Sequence, residues 1–174
     1  RTASSEEVWG EGLSYLESRA VENEDDSPDT YWQAALSRTT LRRALEALGR
    51  PVGKIKDLEV TQRSKSGRVL EIRVEGSEHE VELTGRDLRQ ALGGSTLKST
   101  LFEIRRTDEG FVIAGSGRGH GVGMSQWGAR AMASRGATYQ EILEHFFPGT
   151  HLERIALEES SDISKAAARD GGAR

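Results

Sequence analysis

Apolar and polar residues alternate through the middle of the chain, and this alternation predicts antiparallel strands. Short polar stretches that contain glycine separate the alternating segments, as the turns of a meander do. The first three strands are expected to form a meander, and the last two a hairpin around residues 108–110. The predicted strands cover residues 55–61, 69–74, 79–83, 101–104 and 111–114.

Apolar residues at helical spacing predict short helices on both sides of these strands. The first helix follows Thr40, and Gly49 and Pro51 end it. The predicted helices are 41–48, a short one capped by Thr84, one at about 125–134 and one at about 139–147. Strands in the middle of the chain with helices on either side favour an α+β fold over alternating βαβ units.

The length of the chain bounds its domain organisation. With 174 residues it is long enough to form one domain around a single core. We predict that this α+β domain covers residues 1–157 and that residues 158–174 form a polar, disordered tail. Residue 1 reads like a position inside a domain, so we expect an N-terminally truncated one. No apolar run approaches the ~18 residues of a membrane helix, and membrane attachment is expected only through an N-terminal anchor that precedes the chain.

Composition and charge exclude several classes of partner and site. Acidic residues concentrate at 22–26, a stretch typical of a solvated loop, and the rest of the chain is close to neutral. The chain therefore has no basic stripe of the kind that binds nucleic acid. It has no Cys, which excludes disulfides and thiolate ligands, and His145 and His151 lack a metal-binding spacing. We predict no metal site and no cofactor.

One segment departs from this generic composition and carries the candidate chemistry. Glycine occupies every odd position from 115 to 123. Such a run loses much conformational entropy on ordering, so it indicates either a backbone with positive φ or the close approach of another group. In an extended segment the alternation would aim Arg118, His120 and Val122 in similar directions. The loop glycines of interest are Gly117, Gly119, Gly121 and Gly123.

A nucleotide-binding loop is the first alternative for this segment, and the spacing excludes it. A dinucleotide fingerprint would need a third glycine at position 120, which is His, and no Lys-Ser or Lys-Thr follows as a phosphate loop requires. Two interpretations of His120 stay open, because it either contacts a ligand or hydrogen-bonds the backbone and braces the loop. Ser125 is placed to cap the next helix, and Trp127 is either core or a platform for a sugar.

The segment 117–129 closely resembles the end of the stage II sporulation protein D (SpoIID) family, which also contains the amidase-enhancer proteins called LytB. It reads Gly-Arg-Gly-His-Gly-Val-Gly-Met-Ser-Gln-Trp-Gly-Ala. The resemblance covers residues 2 to about 155, and its glycine-rich block is highly specific. Other pieces agree in the same order, among them residues 5–9, 66–68, 97–102 and 145–150.

The resemblance implies a peptidoglycan lytic transglycosylase that works outside the cytoplasmic membrane, in the cell envelope or periplasm. Its role would be in cell-wall remodelling or sporulation. The implied substrate is a denuded glycan strand, from which an amidase has removed the stem peptides, so glycan strands and a cell-wall amidase are the expected partners. One carboxyl group with a raised pKa performs this chemistry and leaves a 1,6-anhydro end.

On this resemblance we expect four polar side chains to contact the sugar, with Trp127 packing behind them. Neutral His, Ser and Gln supply donors and acceptors for hydroxyl and N-acetyl groups. An arginine would add a charge-assisted bond to the lactyl carboxylate that amidase action exposes on muramic acid. The predicted contacts are Arg118, His120, Ser125 and Gln126.

The catalytic residue stays unknown. In the family the acid is a Glu upstream of the passage that residues 5–9 resemble, so we expect this chain alone to be inactive. Glu6 and Glu7 are assigned to an acidic loop, and Glu141 and Glu144 to a helix that matches a non-catalytic part of the family pattern. The zinc site that some members form with a Cys and a His cannot form here. Two alternatives stay open: a non-catalytic amidase enhancer that presents glycan to the amidase, and a glycan-binding module without turnover.

Overall fold

A computed structural model describes residues 1–21 and 27–153 of the chain. Short helices lie before, between and after the strands in these two ranges. The helices are α1 (Ser5–Trp9), α2 (Arg38–Ala47), α3 (Gly85–Leu92), α4 (Gln126–Ser134) and α5 (Tyr139–Phe146). The strands are β1 (Trp32–Ser37), β2 (Ile55–Arg63), β3 (Val69–Gly76), β4 (Glu80–Thr84), β5 (Phe102–Arg106) and β6 (Gly110–Gly115).

The strands form two antiparallel three-stranded sheets, with the orders β1-β6-β5 and β2-β3-β4. The second sheet is the predicted meander, in which Val74 lies opposite Leu58 on one side and Val81 on the other. The β5–β6 pair is the predicted hairpin, with Ile104 opposite Ile113. The predicted α+β class is therefore confirmed.

The β1 strand and the α1 helix were not predicted from the pattern. Only Trp32 and Leu36 of β1 are buried, so its alternation is weak, and its pairing partner β6 lies far along the chain. The α1 helix is little more than one turn and depends on its caps, the Ser4 hydroxyl at one end and Gly10 with a φ of 78° at the other.

The start of α2 was predicted too late. The helix begins at Arg38 and not after Thr40. The physical reason is the Ser37 hydroxyl, which accepts a hydrogen bond from the Thr40 backbone N–H at 3.1 Å and so caps the helix three residues earlier.

A single hydrophobic core joins both sheets to α2 and α3. Its members come from every strand, and side chains such as Phe111 and Leu88 are fully buried. The glycine-rich segment connects β6 to α4 and touches this core at Trp32, whose indole N–H donates to the Gly117 carbonyl. The buried core residues that form it include Leu36, Leu41, Leu45, Val52, Ile72, Val74, Leu83, Leu97, Phe102 and Ile113.

The last two helices pack on each other through a glycine. Gly128 of α4 lies so close to α5 that a Cβ there would be 3.1 Å from Phe146 and 2.5 Å from the Val21 side chain. Phe146 is fully buried. This contact fixes the position at which α4 begins, and with it the end of the glycine-rich segment.

Two predictions fall outside the described ranges: the solvated loop at 22–26 and the polar tail at 158–174. The predicted domain end at residue 157 also lies there and stays a prediction. In the described part of the chain, none of the helices has the length and apolar character needed to cross a membrane.

Candidate functional site

The glycine loop, residues 115–125, connects β6 to α4. Its backbone has positive φ at four glycines, with values of 72° at 117, 84° at 119, 74° at 121 and 75° at 123. L-residues rarely adopt such angles, so the expected need for positive φ is confirmed at these four positions. Gly115 satisfies the other expectation, close approach, because a Cβ there would overlap the Trp32 indole ring.

Backbone hydrogen bonds from two neighbouring segments hold the first half of the loop. The Gly117 N–H donates to the Asp29 carbonyl at 2.8 Å, and the Gly119 N–H donates to the Lys98 carbonyl at 2.7 Å. The Trp32 indole N–H donates to the Gly117 carbonyl at 2.9 Å. The loop is thus tied to the segments that lead into β1 and β5, the two neighbours of β6, and has a defined shape.

Asp29 also binds this half of the loop through its side chain. Its carboxylate accepts from Arg118 Nε at 2.5 Å and from Lys98 Nζ at 2.6 Å. These hydrogen bonds, from Arg118 first and then Lys98, lower the pKa of Asp29 from 3.8 to about 2. Arg118, whose pKa the same bond raises, therefore already has a carboxylate partner inside the protein. Its predicted contact with a ligand carboxylate stays a prediction.

The second half of the loop packs against the N-terminal segment. The Ala3 N–H donates to the Gly121 carbonyl at 2.8 Å, and Ala3 and Val122 form a parallel bridge. Val122 is only 7% exposed, whereas Arg118 and His120 are exposed. The expectation of similar directions held for an extended segment, and the positive φ at Gly119 and Gly121 shows that the segment is not extended.

His120 braces the loop through its Nδ1 atom, which leaves its Nε2 atom to donate to a ligand. Its Nδ1 accepts from the Val122 backbone N–H at 3.0 Å, so the neutral ring carries its proton on Nε2. Burial, followed by the positive charges of Arg68 and Arg89, lowers the pKa of His120. At neutral pH the side chain is consequently an uncharged donor. The Trp9 ring lies beside it, with ring centroids 5.6 Å apart.

The remaining predicted contacts lie where α4 begins. Ser125 is the N-cap, as predicted, and its hydroxyl accepts from the Gly128 N–H at 3.1 Å. Gln126 is exposed at the first helical position. Trp127 is half-buried, with the Arg130 guanidinium 4.8 Å from its ring centroid. The structure thus leaves Gln126 open to a ligand and gives Ser125 a structural task.

Arg68 is the member of this region that sequence reasoning missed as a site residue. It is 8% exposed, and its Nε and Nη1 atoms are buried without a hydrogen-bond partner among the described residues. Its guanidinium lies against Gly121 so closely that a Cβ at that position would overlap it. Burial lowers the pKa of Arg68, and the charge of Glu7 opposes that shift. The motif Ser66-Gly67-Arg68 was the only signal for it in the sequence, since burial is a tertiary property.

The assignment of Glu6 and Glu7 to an acidic loop was wrong, because both lie in α1. The cap provided by Ser4 makes the helix possible there. Glu7 Oε2 accepts from the Ser66 backbone N–H at 3.0 Å. Burial raises the pKa of Glu7, but hydrogen bonds from Ser66 and Ser64 lower it by more, so that the net shift is downward. Glu7 is therefore ionised at neutral pH.

A separate cavity of about 440 Å³ lies at the far end of the β1–β6–β5 sheet. It is lined by residues 35–37 and 107–112 and by none of the predicted site residues. No group of three or more His, Asp or Glu side chains in the described ranges is placed to hold a metal ion. The glycine loop therefore remains the candidate site.

Comparison with known proteins places the chain in a family. A family model described as a domain of unknown function (DUF8618) matches residues 10–123, about two thirds of the chain. The chain therefore belongs to that domain family. A stage II sporulation protein D from Bacillus amyloliquefaciens is 30% identical over 168 residues, 97% of this chain and 45% of that protein. The chain belongs to the stage II sporulation protein D/LytB family.

Two further relatives show how far the similarity of this SpoIID-family chain reaches. An uncharacterized protein of Brachyspira hyodysenteriae is 33% identical over 167 residues, 93% of this chain and 44% of that protein. An amidase enhancer of Bacillus subtilis is 42% identical over 66 residues, 38% of this chain and 9% of that protein. The chain spans less than half the length of each of these relatives.

Proposed function

We propose that this chain is part of a peptidoglycan lytic transglycosylase that acts on denuded glycan strands, and that the glycine loop lines its glycan-binding cleft. The observation that carries the proposal is the loop itself. Hydrogen bonds on both sides hold it in one shape, and His120 in the loop and Gln126 at the start of α4 are both exposed. Uncharged donors and acceptors on a preformed surface suit the hydroxyl and N-acetyl groups of a sugar.

Open space beside two of the glycines supports a ligand at the loop. Among the described residues, apart from their own chain neighbours, neither Gly117 nor Gly119 has a heavy atom within 4 Å of the position that a Cβ would occupy. Internal packing therefore does not require glycine at these two sites, and the bare backbone is accessible to an approaching molecule. Trp9, which is 46% exposed next to His120, offers an aromatic face on which a sugar ring can pack.

The general acid of this reaction has to be protonated at neutral pH, which requires a raised pKa. The described carboxyl groups with a shifted pKa do not meet this requirement, because the pKa values of Glu7, Asp29 and Glu141 are all lowered. Glu141 is held ionised by hydrogen bonds from the Thr138 N–H and hydroxyl at its helix cap. We propose that the Glu that supplies the proton belongs to the full-length protein and is not one of these 174 residues, so that the 174-residue chain alone is inactive.

The role of the loop in this chemistry is to hold the strand. The acid protonates the oxygen of the MurNAc–GlcNAc bond, and the same carboxylate then takes the proton of the sugar's 6-hydroxyl, so that a 1,6-anhydro end forms without water. A carboxyl group can perform both steps only if the sugar stays in place between them. His120 Nε2–H and the Gln126 amide are the groups that we expect to position it.

On this proposal the full-length protein works in the cell envelope or periplasm, during cell-wall remodelling or sporulation. A cell-wall amidase would be its partner. The name of the relative called stage II sporulation protein D supports this setting. A second candidate function, a non-catalytic amidase enhancer, is favoured by the 42% identity to a protein named amidase enhancer. In that case the loop would present glycan to the amidase without turnover.

Product analysis separates the two functions. Denuded glycan strands are digested with the full-length protein, and mass spectrometry is used to find 1,6-anhydro ends; a Gly119→Val variant and the 174-residue chain serve as comparisons. The transglycosylase proposal expects anhydro ends from the full-length protein only. A faster amidase without anhydro ends would establish the enhancer function instead. Anhydro ends from the chain alone would mean that a carboxylate within these 174 residues is the acid, and Glu141 and Glu144 would be mutated next.

A further inference from the structure

A buried cation, Arg68, lies directly against the glycine loop at Gly121. Arg68 is 8% exposed, and neither Nε nor Nη1 has a hydrogen-bond partner in the part of the chain that the structure describes. Buried polar groups are almost always hydrogen-bonded, and a buried charge is costly unless it is paired. The guanidinium of Arg68 is therefore suited to pair with an anionic group.

Glu7, whose negative charge acts on Arg68, does not supply the anionic partner. Its Oε2 accepts from the Ser66 N–H, and its charge acts on Arg68 without forming an ion pair. Arg118 presents the opposite case, because Asp29 binds it directly and Lys98 shares the same carboxylate. Of these two arginines near the loop, Arg68 is thus the one whose charge is unpaired.

The position of Arg68 is suited to a ligand of the loop. Its guanidinium contacts Gly121, which is half-buried and adjoins the exposed His120. The absence of a side chain at position 121 leaves room for the guanidinium next to the loop surface. Arg89, which donates from Nε to the Lys98 carbonyl at 3.3 Å, adds a second positive charge that acts on His120. The surroundings of His120 Nε2–H are therefore electropositive.

We propose that Arg68 binds the free carboxylate of an acidic sugar in the glycan strand, next to the hydrogen bond that His120 donates. The inference rests on the proposed function, within which the acidic sugar is muramic acid with its lactyl carboxylate exposed. Arginine pairs with carboxylates through strong, charge-assisted hydrogen bonds. A stem peptide would convert that carboxylate into an uncharged amide, so that Arg68 would select denuded strands over peptide-bearing ones.

Calorimetric titration of the full-length protein with three probes tests this assignment. The probes are a denuded MurNAc–GlcNAc oligosaccharide, its methyl ester and a GlcNAc oligosaccharide of equal length. We expect the free acid to bind at least about tenfold more tightly than the ester, since the ester cannot form the charge-assisted bond. Arg68→Met should bring the free acid to the affinity of the ester and leave the ester unchanged. Arg43→Met, an exposed arginine on α2, should keep the full preference.

Other outcomes overturn the assignment. If Arg118→Met and not Arg68→Met abolishes the preference, the carboxylate binds at Arg118. If the wild-type protein binds acid and ester equally, the inference fails while the proposed function stands, and this comparison needs no variant to fold. If none of the three probes binds, both fail. Because Met replaces an unpaired buried charge, Arg68→Met is also expected to melt no lower than wild type, and a clearly lower Tm would contradict an unpaired guanidinium.

Discussion

The two halves of the glycine loop use glycine for different reasons. In the first half, Gly117 and Gly119 have positive φ but open space around them. In the second half, Gly121 and Gly123 have the same kind of backbone and also lie close to other side chains: a Cβ at 121 would overlap Arg68, and one at 123 would be 3.3 Å from the Phe147 ring. The first half is the open half, because apart from chain neighbours no described residue lies close to the Cβ position of its glycines, and the second is the packed half, although glycine alternates in the same way in both.

This difference teaches how the loop can combine rigidity with access. The packed half fixes the position of His120, and the open half leaves backbone uncovered beside it. Asp29 and the segment around Lys98 hold the open half from outside, so that it needs no packing of its own. Substitutions that act on one half and not the other should therefore separate folding from ligand binding.

The largest effect is expected for Gly121→Ala. Positive φ costs a non-glycine residue about 1–2 kcal/mol, and overlap with the Arg68 guanidinium adds about 1–3 kcal/mol. Gly119→Ala is the matched control, because it has the same backbone strain and no neighbour to displace. Urea unfolding should show Gly121→Ala to be the less stable variant by more than the strain alone. Equal losses in the two variants would mean that position 121 is not packed.

Lowering the pH should destabilise the open half of the loop, because protonation of Asp29 weakens its hydrogen bonds with Arg118 and Lys98. Because its folded pKa is about 2 and its ordinary value 3.8, the hydrogen-bonded carboxylate stabilises the folded protein above about pH 4. This stabilisation is lost as the pH falls toward 2. In thermal melts from pH 6 to pH 2, Asp29→Asn should start from a lower Tm and lose less of it on acidification than wild type. Parallel Tm curves would contradict the pairing with Arg118 and Lys98.

How far these features were predictable depends on whether they are local. Alternation and helical spacing predicted the meander, the hairpin and four helices, because each repeats along the chain with its own period. The β1 strand was not predicted because its own alternation is weak and the strand is stabilised by pairing with the distant β6. The positive φ of the loop glycines and the Ser125 cap were predictable for the same reason as the strands, since both are local backbone requirements.

The burial and pairing of the charged side chains in the site were not predictable from the sequence. Arg68 and Arg118 look alike in the sequence, yet one is buried without a hydrogen-bond partner for two of its nitrogens and the other is paired with a residue 89 positions away. Only tertiary structure distinguishes them, because Arg68 lies against Gly121 whereas Arg118 reaches Asp29 ahead of β1. The prediction that Arg118 receives a carboxylate was drawn from its position beside the glycines, and the structure offers Arg68 as a competitor.

A smaller effect is expected on the pKa of His120, which adjoins the packed half of the loop. The His120 pKa lies below its ordinary value of 6.5, first because of burial and then because of the charges of Arg68 and Arg89. An NMR titration of the His120 ring should therefore have a midpoint below 6.5. In Arg68→Met the midpoint should rise but stay below that value, because burial remains. An unchanged midpoint would show that Arg68 does not face His120.

The smallest effect on stability is expected at the exposed end of the site. Gln126→Ala should change the free energy of unfolding by no more than about 0.5 kcal/mol, as surface substitutions do. Its affinity for denuded glycan should fall, measured by calorimetry on the full-length protein. If the variant melts early and binds glycan normally, Gln126 is part of the scaffold and not a contact.

The most direct test of the central claim, that the glycine loop binds glycan, is an NMR titration of the full-length protein with a denuded glycan oligosaccharide. We expect the largest amide shifts at Gly119, His120 and Gln126, together with the indole N–H of Trp9. Residues 35–37 and 107–112, which line the separate cavity, should stay unchanged. Shifts confined to that cavity, or no shifts in the loop at saturating ligand, would contradict the account.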